Sequence, residues 1–335
     1  MLSRVIPAPG ARIGAALLTV VLLAVPASAQ SPDAPVGARA QGMAGAFVAV
    51  ADDGSAPFWN AAGLSQMGLV AGMVSGSSLG VKEDSGEPVA SARNAWSHND
   101  FGLAFGLPAL AFSYARAHTE AAAAVATAEP GPDRQDPGTA ALVRRTDISQ
   151  FGVSVAQAIG DRVVVGSTLR LVRGEAARTL VPASLPAASA LDRAKVLAGT
   201  DRTRFDADIG VLAYAGVARI GVSFRHLAEP TLLDADGELA AVRLERAVRA
   251  GVAFGTGRMW NQQPWTIAID ADLTRQDGPD GERQAVAIGA ERWFRNRRAA
   301  LRGGGEWQVV GERRPLATAG GTIAVRSGLY LDAYL

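Results

Sequence analysis

From Gly68 to Leu335 the chain breaks into thirteen segments, roughly 7 to 13 residues each, in which apolar and polar residues alternate. They are Gly68 to Gly80, Asp100 to Leu107, Ala109 to His118, Ile148 to Ala158, Arg162 to Val172, Thr203 to Tyr214, Val217 to Leu227, Leu244 to Gly255, Pro264 to Thr274, Gln284 to Phe294, Ala299 to Val309, Leu316 to Val325 and Leu329 to Leu335. A period of two is that of a strand with one face in each of two environments. A spanning helix needs about 20 consecutive apolar residues, and no segment in this part of the chain approaches that. Backbone groups in lipid are satisfied only in helices or closed barrels. The pattern therefore predicts an all-β chain, an antiparallel transmembrane β-barrel of about 14 strands, thirteen of which are read here.

The alternation assigns faces. Phe205, Ala207, Ile209, Val211 and Ala213 share one side of their segment, with Asp206 and Asp208 on the other. A two-residue turn at Ala215-Gly216 would set Asp206 opposite Arg225 as a cross-strand ion pair. In Pro264 to Thr274, Trp265, Ile267, Ile269 and Leu273 face away from Asp270 and Asp272. Carboxylates two residues apart are costly toward lipid, so these aspartates are expected to line the lumen. Arg170, Arg219, Glu291 and Glu306 are read as pointing the same way. Trp260, Trp265, Trp293 and Trp307 stand near segment ends, where interfacial aromatic girdles belong.

Connections alternate between tight and long. Tight ones fall at Pro108, Ile159 to Asp161, Ala215-Gly216, Thr256 to Gln263, Arg295 to Arg298 and Arg326 to Gly328. In the two longest, Glu120 to Ala128 and Ala187 to Ala198 are Ala-rich enough for short helices over the mouth. Thirteen is odd, whereas single-chain bacterial barrels have even strand numbers; residues 68–335 are therefore expected to form a barrel lacking its last strand. A missed strand at Ala121 to Ala128, or one long strand from Asp100 to His118 through Pro108, would restore even parity.

Two segments precede the barrel. Residues 1–29 have the form of a secretory signal peptide: Arg4 and Arg12, an apolar run from Ile13 to Val25, and Ala27-Ser28-Ala29 as a cleavage site. Residues 30–67 read as a plug. Small residues at Gly37, Ala38, Gly42, Ala44 and Gly45 allow close packing; Asp52, Asp53 and Gly54 form a turn cluster; Phe58, Trp59 and Asn60 precede Ala61-Ala62-Gly63-Leu64.

In order, Gly37 to Ala40, Gly42 to Ala46, Asp52, Asp53 and Trp59 to Leu64 resemble the start of the mature part of outer-membrane barrels that group the FadL long-chain fatty-acid transporters with PorV/PorQ and TraF-like proteins. Ala44 stands where that pattern has Gly, and Ala61 where it has Pro, which loosens the turn by releasing φ. The resemblance implies a plugged barrel in a bacterial-type outer membrane, with Asp52, Asp53, Phe58, Trp59, Asn60, Ala61 and Gly63 shaping the plug and its opening. Arg170, Asp206, Asp208, Arg219, Arg225, Asp270 and Asp272 are the expected lumen residues.

Other chemistries are poorly supported. A net charge of +1 carries no nucleic-acid signature, and the absence of Cys leaves an exported chain without disulfides. A mean hydropathy of +0.13 suits a barrel, apolar outside and polar within. Gly76 to Gly80 match G-x-S-x-G, but a nucleophile elbow needs a strand-to-helix turn. Gly303-Gly304-Gly305 lacks a Walker lysine and reads as a flexible or bulged strand. His98, His118 and His226 lack metal-ligand spacing and are expected at loop rims and a strand end. No enzyme, cofactor or metal is expected. Two functions stay open: passive passage of a hydrophobic, fatty-acid-like ligand, or a structural barrel binding a secretion-system protein, as the PorV/PorQ branch implies.

Overall fold

A computed structural model describes residues 36–81, 88–89, 95–126, 139–233, 242–255, 264–278, 281–311 and 315–335. The signal segment 1–29 and Trp260 lie outside the described residues. The strands are β1 (Ala71–Val81), β2 (Ala95–Leu107), β3 (Leu110–Ala126), β4 (Thr139–Ile159), β5 (Val163–Pro182), β6 (Thr200–Ala215), β7 (Ala218–Arg225), β8 (Thr231–Leu233), β9 (Val242–Arg243), β10 (Ala247–Gly255), β11 (Trp265–Asp272), β12 (Gln276–Gly278), β13 (Gly281–Phe294), β14 (Ala299–Val310), β15 (Leu316–Arg326) and β16 (Leu329–Tyr334). Thirteen form one antiparallel, barrel-type sheet in chain order; β12 pairs only with β13, and β8–β9 is a separate hairpin. Each of the thirteen alternating segments is one strand of this sheet. Among the described residues, β1 and β16 are not paired with each other, so the sheet curls without closing.

The two faces have opposite polarity. Apolar side chains are exposed on one face of strand after strand: Val74, Phe101, Phe112, Val155, Leu169, Phe205, Ile220, Phe254, Ile267, Ile288, Leu301, Ile323 and Leu331. The other face buries Asp100, Ser113, Ser154, Arg170, Asp206, Arg219, Asp270, Glu291, Arg302 and Thr322. This is the reverse of a soluble sheet, whose apolar face is the hidden one.

The tight connections that lie among the described residues fall together at one end, whereas residues 256–263 lie outside the described residues. Leu107 pairs with Leu110 across Pro108-Ala109, which rules out a single strand through Pro108. Ala215 pairs with Ala218, so the β6–β7 turn is Gly216-Val217 rather than Ala215-Gly216. Gly216 has φ +61, and a II′ turn places its positive φ at the first central residue. The resulting shift of two residues keeps the faces but removes the expected Asp206–Arg225 pair.

At the other end β4 and β5, with 21 and 20 residues, far exceed the 9–11 that cross a bilayer. Glu120 to Ala126, expected as helix or extra strand, continues β3. Ala187–Lys195 is helical, but it does not cap the mouth: it packs on the outward face of the strand extensions, in a cluster with Val89, Ala122, Val143 and Val181. Between that cluster and the apolar belt the outward face turns polar. Arg116 pairs with Asp147 at 3.1 Å, His118 with Glu120 at 3.0 Å, and Arg145 Nη1 donates to the carbonyl of Leu197 at 3.1 Å.

Candidate functional site

The segment 36–67 has little regular structure: short helices at Ala38–Gln41 and Ala56–Trp59 and a 3-10 turn at Ala61–Gln66. Yet Val36, Met43, Phe47, Val48, Val50 and Leu64 are almost wholly buried. Its contacts run around the sheet. Ala61–Gln66 packs on β4, β5 and β6, and Ala38–Gln41 on β15 and β16. A segment of this length reaches both halves of a thirteen-strand sheet only if the sheet curls around it.

Glycines on the inner face make room for it. A Cβ at Gly221 would lie 2.5 Å from the Val48 carbonyl oxygen, and one at Gly304 2.5 Å from the Met43 carbonyl carbon. Gly304 pairs in regular register with Gly289, which also abuts Met43, so the triple glycine is neither a bulge nor a phosphate loop but a clearance for the segment's backbone. The Gly76–Gly80 motif stands within β1, in register with β2, with no helix following.

Charged and amide groups fasten the segment to the wall. Arg39 is the hub: Nη1 donates to Asp52 Oδ1 at 2.6 Å and Asp53 Oδ2 at 3.0 Å, while Nε and Nη2 donate to the two oxygens of Glu291, each at 2.8 Å. Burial favours the neutral form of Arg39, but Asp52 and Glu291 outweigh it and hold its pKa well above the ordinary value. Glu291 also receives Trp293 Nε1 at 2.8 Å; Trp293 therefore faces inward and is not a girdle residue. Asp270 Oδ2 accepts both the Phe47 and Val48 amides at 2.8 Å. Arg219 donates to the carbonyls of Ala49 and Val50, and Arg170 Nη2 to that of Pro57 at 3.2 Å. Asn60 accepts the Ala62 amide at 3.1 Å and donates to the carbonyls of Val48 at 3.0 Å and Val211 at 3.1 Å. Trp59 Nε1 donates to the Val36 carbonyl at 2.8 Å. Phe58 packs at the edge of this core, and Ala61 and Gly63 are buried in it; a Cβ at Gly63 would meet the Ala51 carbonyl oxygen at 1.7 Å.

Further along the inner face, Asp272 pairs with Arg249 at 3.0 Å, and Arg225 stands close to both. Asp208 pairs with Arg170, and Asp206 with His226 Nδ1 at 2.6 Å. His226 is thus buried inside rather than at a solvated strand end, and His98, also buried, lies within β2 with Nδ1 2.8 Å from Thr119 Oγ1. Asp206, Asp208 and His226 bring three ligand atoms within 4.8 Å of one another, but Arg170 already supplies the countercharge there. His226 and the glycine clearances were missed by sequence reasoning; inward-facing Gly in otherwise regular strands was the available signal for the latter.

The family described as "F plasmid transfer operon, TraF, protein" matches residues 85–272. The chain belongs to this TraF family. The matched stretch runs from the β1–β2 connection to the end of β11, so the buried N-terminal segment of this TraF-family chain and β13–β16 lie outside it. No curated protein matches the chain. Among solved structures it is similar to CdiB from Acinetobacter baumannii, at 10% identity and a TM-score of 0.35, over 79% of this chain and 53% of the other. The TraF-family chain thus spans about half the length of that protein.

Proposed function

We propose that the protein is an outer-membrane barrel, shut by its own N-terminal segment, that serves a transfer or secretion apparatus by binding a partner protein. The carrying observation is the reversed polarity of the sheet, apolar toward the surroundings and charged toward the enclosed segment. Such a surface suits lipid, and a belt of about 25 Å is the height barrels present to it. The enclosed segment is held by buried ion pairs and backbone hydrogen bonds, which favours a fixed stopper over a passage for apolar molecules. The family description, a plasmid transfer operon, supports the partner reading.

The test is twofold. In fractionated cells the protein should remain with outer membranes after a urea wash, and in planar bilayers the purified protein should give no steady conductance. An open-channel record would overturn the stopper.

A second reading, binding of a fatty-acid-like ligand, draws on the resemblance of residues 37–64 and on one apolar patch. Ile148, Val172, Leu232 and Leu244 cluster where β8 lies over Gly174 on the inner face. Saturable fatty-acid binding, lost in Leu232→Arg, would favour it.

A further inference from the structure

The outward face treats its arginines differently at the two ends of the sheet. At the end of the long extensions Arg116 and Arg145 pair with Asp147, and Arg173 with Asp201, at 2.8 to 3.1 Å. At the tight-turn end Arg292, Arg295, Arg298 and Arg326 are exposed, and none has a side-chain ion pair or hydrogen bond among the described residues. The carboxylates nearest in sequence, Glu291 and Asp332, are held by Arg39 and Arg302 instead.

Arg292 rises out of the apolar belt. Alternation along β13 turns Glu291 and Trp293 inward and Arg292 and Phe294 outward. Arg292 stands opposite Trp265 in register, and its guanidinium lies 5.4 Å from the centre of the Phe294 ring. The side chain thus runs along the strand toward the turn, carrying its charge away from the belt. Arg295, Asn296 and Arg297 follow at φ +48, +54 and +64, closed by the Arg298 amide donating to the Phe294 carbonyl at 3.1 Å. At three other tight turns a left-handed position is a glycine, Gly160, Gly216 or Gly328; here two arginines hold such positions despite the steric cost. Arg297 folds inward, 4.0 Å over the Trp293 ring, while Arg295 and Arg298 stay exposed. The Arg298 carbonyl accepts the Ala324 amide at 2.8 Å, which sets the end of β15, with Arg326, alongside.

Phe294, Leu301, Val325 and Leu329, all exposed, border the same corner. We propose that this corner binds an anionic phospholipid, with Arg292, Arg295 and Arg298 on the headgroup phosphate and acyl chains along Phe294, Leu301 and Val325. Guanidinium forks match phosphate oxygens in pairs. Trp265 stands where aromatic rings meet headgroups, and clustered cations beside a membrane draw anionic lipid. The charge is continuous with the apolar belt, which favours a lipid over an acidic polypeptide. The lipid phosphate supplies here the countercharge that Asp147 and Asp201 supply at the other end.

The inference rests on the membrane reading and not on the partner reading. The purified full chain in detergent is titrated with phosphatidylglycerol or with phosphatidylcholine, and the lipid retained is counted by native mass spectrometry. Both lipids carry a phosphodiester, but only the first is a net anion. Phosphatidylglycerol should be retained in preference, and Arg292→Gln/Arg298→Gln should weaken it about 10-fold or more, at roughly fivefold per cation. Arg292→Lys/Arg298→Lys, which keeps the charge and controls for the fold, should retain the preference in part, and Arg173→Gln at the paired end should retain it in full. Equal retention of the two lipids, an unchanged affinity in the Gln variant, or displacement of the lipid by excess inorganic phosphate would overturn the proposal. So would a photoreactive residue at Arg295 that attaches, in intact cells, to an acidic polypeptide instead of lipid. Equal retention by protein that still fractionates with outer membranes after a urea wash overturns this inference and leaves the membrane reading standing.

Discussion

Arg39 and Glu291 are joined by two parallel hydrogen bonds, Nε to Oε2 and Nη2 to Oε1, each 2.8 Å long, across 252 residues of sequence. Forked pairing of this kind fixes orientation as well as distance, so the bond sets how the N-terminal segment sits against β13. Arg39→Ala leaves Glu291, with no exposed side-chain surface, with the longer 3.5 Å contact to Arg302 and the Trp293 hydrogen bond in place of the forked pair. The expected cost is about 3–5 kcal/mol, seen as a lower thermal midpoint and as ion leak in reconstituted vesicles. Arg39→Met/Glu291→Met should recover much of the stability.

Gly221→Ala places a methyl group 2.5 Å from the Val48 carbonyl, where both backbones are anchored. Overpacking of this kind costs about 1–3 kcal/mol. Gly76→Ala, whose nearest new contact is 3.5 Å, is the control and should leave the unfolding midpoint in detergent unchanged.

Ala44 sits at φ +53, a left-handed conformation that costs an L-residue roughly 1–2 kcal/mol. Ala44→Gly should therefore stabilise the protein by about 1 kcal/mol, less the extra freedom Gly has when unfolded. Equal or lower stability in a denaturant titration would contradict the strain.

Val155, 50% exposed on the outward face of β4, is a probe of the surroundings. In lipid, Val155→Arg should cost about 2–4 kcal/mol; on a water-facing surface it would cost almost nothing. Unfolding from lipid vesicles decides.

His226, just beyond β7, has its pKa lowered, first by burial and further by Arg225 and Arg170, against the opposing pull of Asp206 and Asp208. Below about pH 6.5 the unfolded chain takes up a proton that the folded protein refuses. Stability attributable to this group is therefore full above that pH and declines as pH falls. Between pH 7 and 5 the thermal midpoint should drop more in the native protein than in His226→Gln.

Strand count and facing were legible because a period of two survives whatever packs on either side: all thirteen alternating segments are strands, and Asp208 and Asp270 lie on the buried face. The Asp206–Arg225 expectation failed on one residue of turn geometry, since hydrophobic alternation is blind to a shift of two and only the φ of Gly216 separates the candidates. The helix over Ala187–Lys195 was visible as an Ala-rich run, but its seat on the outward face was not, because that depends on how far β2–β5 outrun the belt. His226 and Glu291 owe their roles to partners 20 and 252 residues away, which no local pattern encodes.

The enclosure of residues 36–67 also bears on how the chain assembles. The segment is synthesised before every strand and touches both halves of the sheet, β4–β6 and β15–β16, so a sheet that curls around it as it forms would use the segment as a mandrel. Distant contacts of this kind close slowly. Weakening the Arg39–Glu291 pair should accordingly retard assembly more than deleting an outward-facing side chain of similar size.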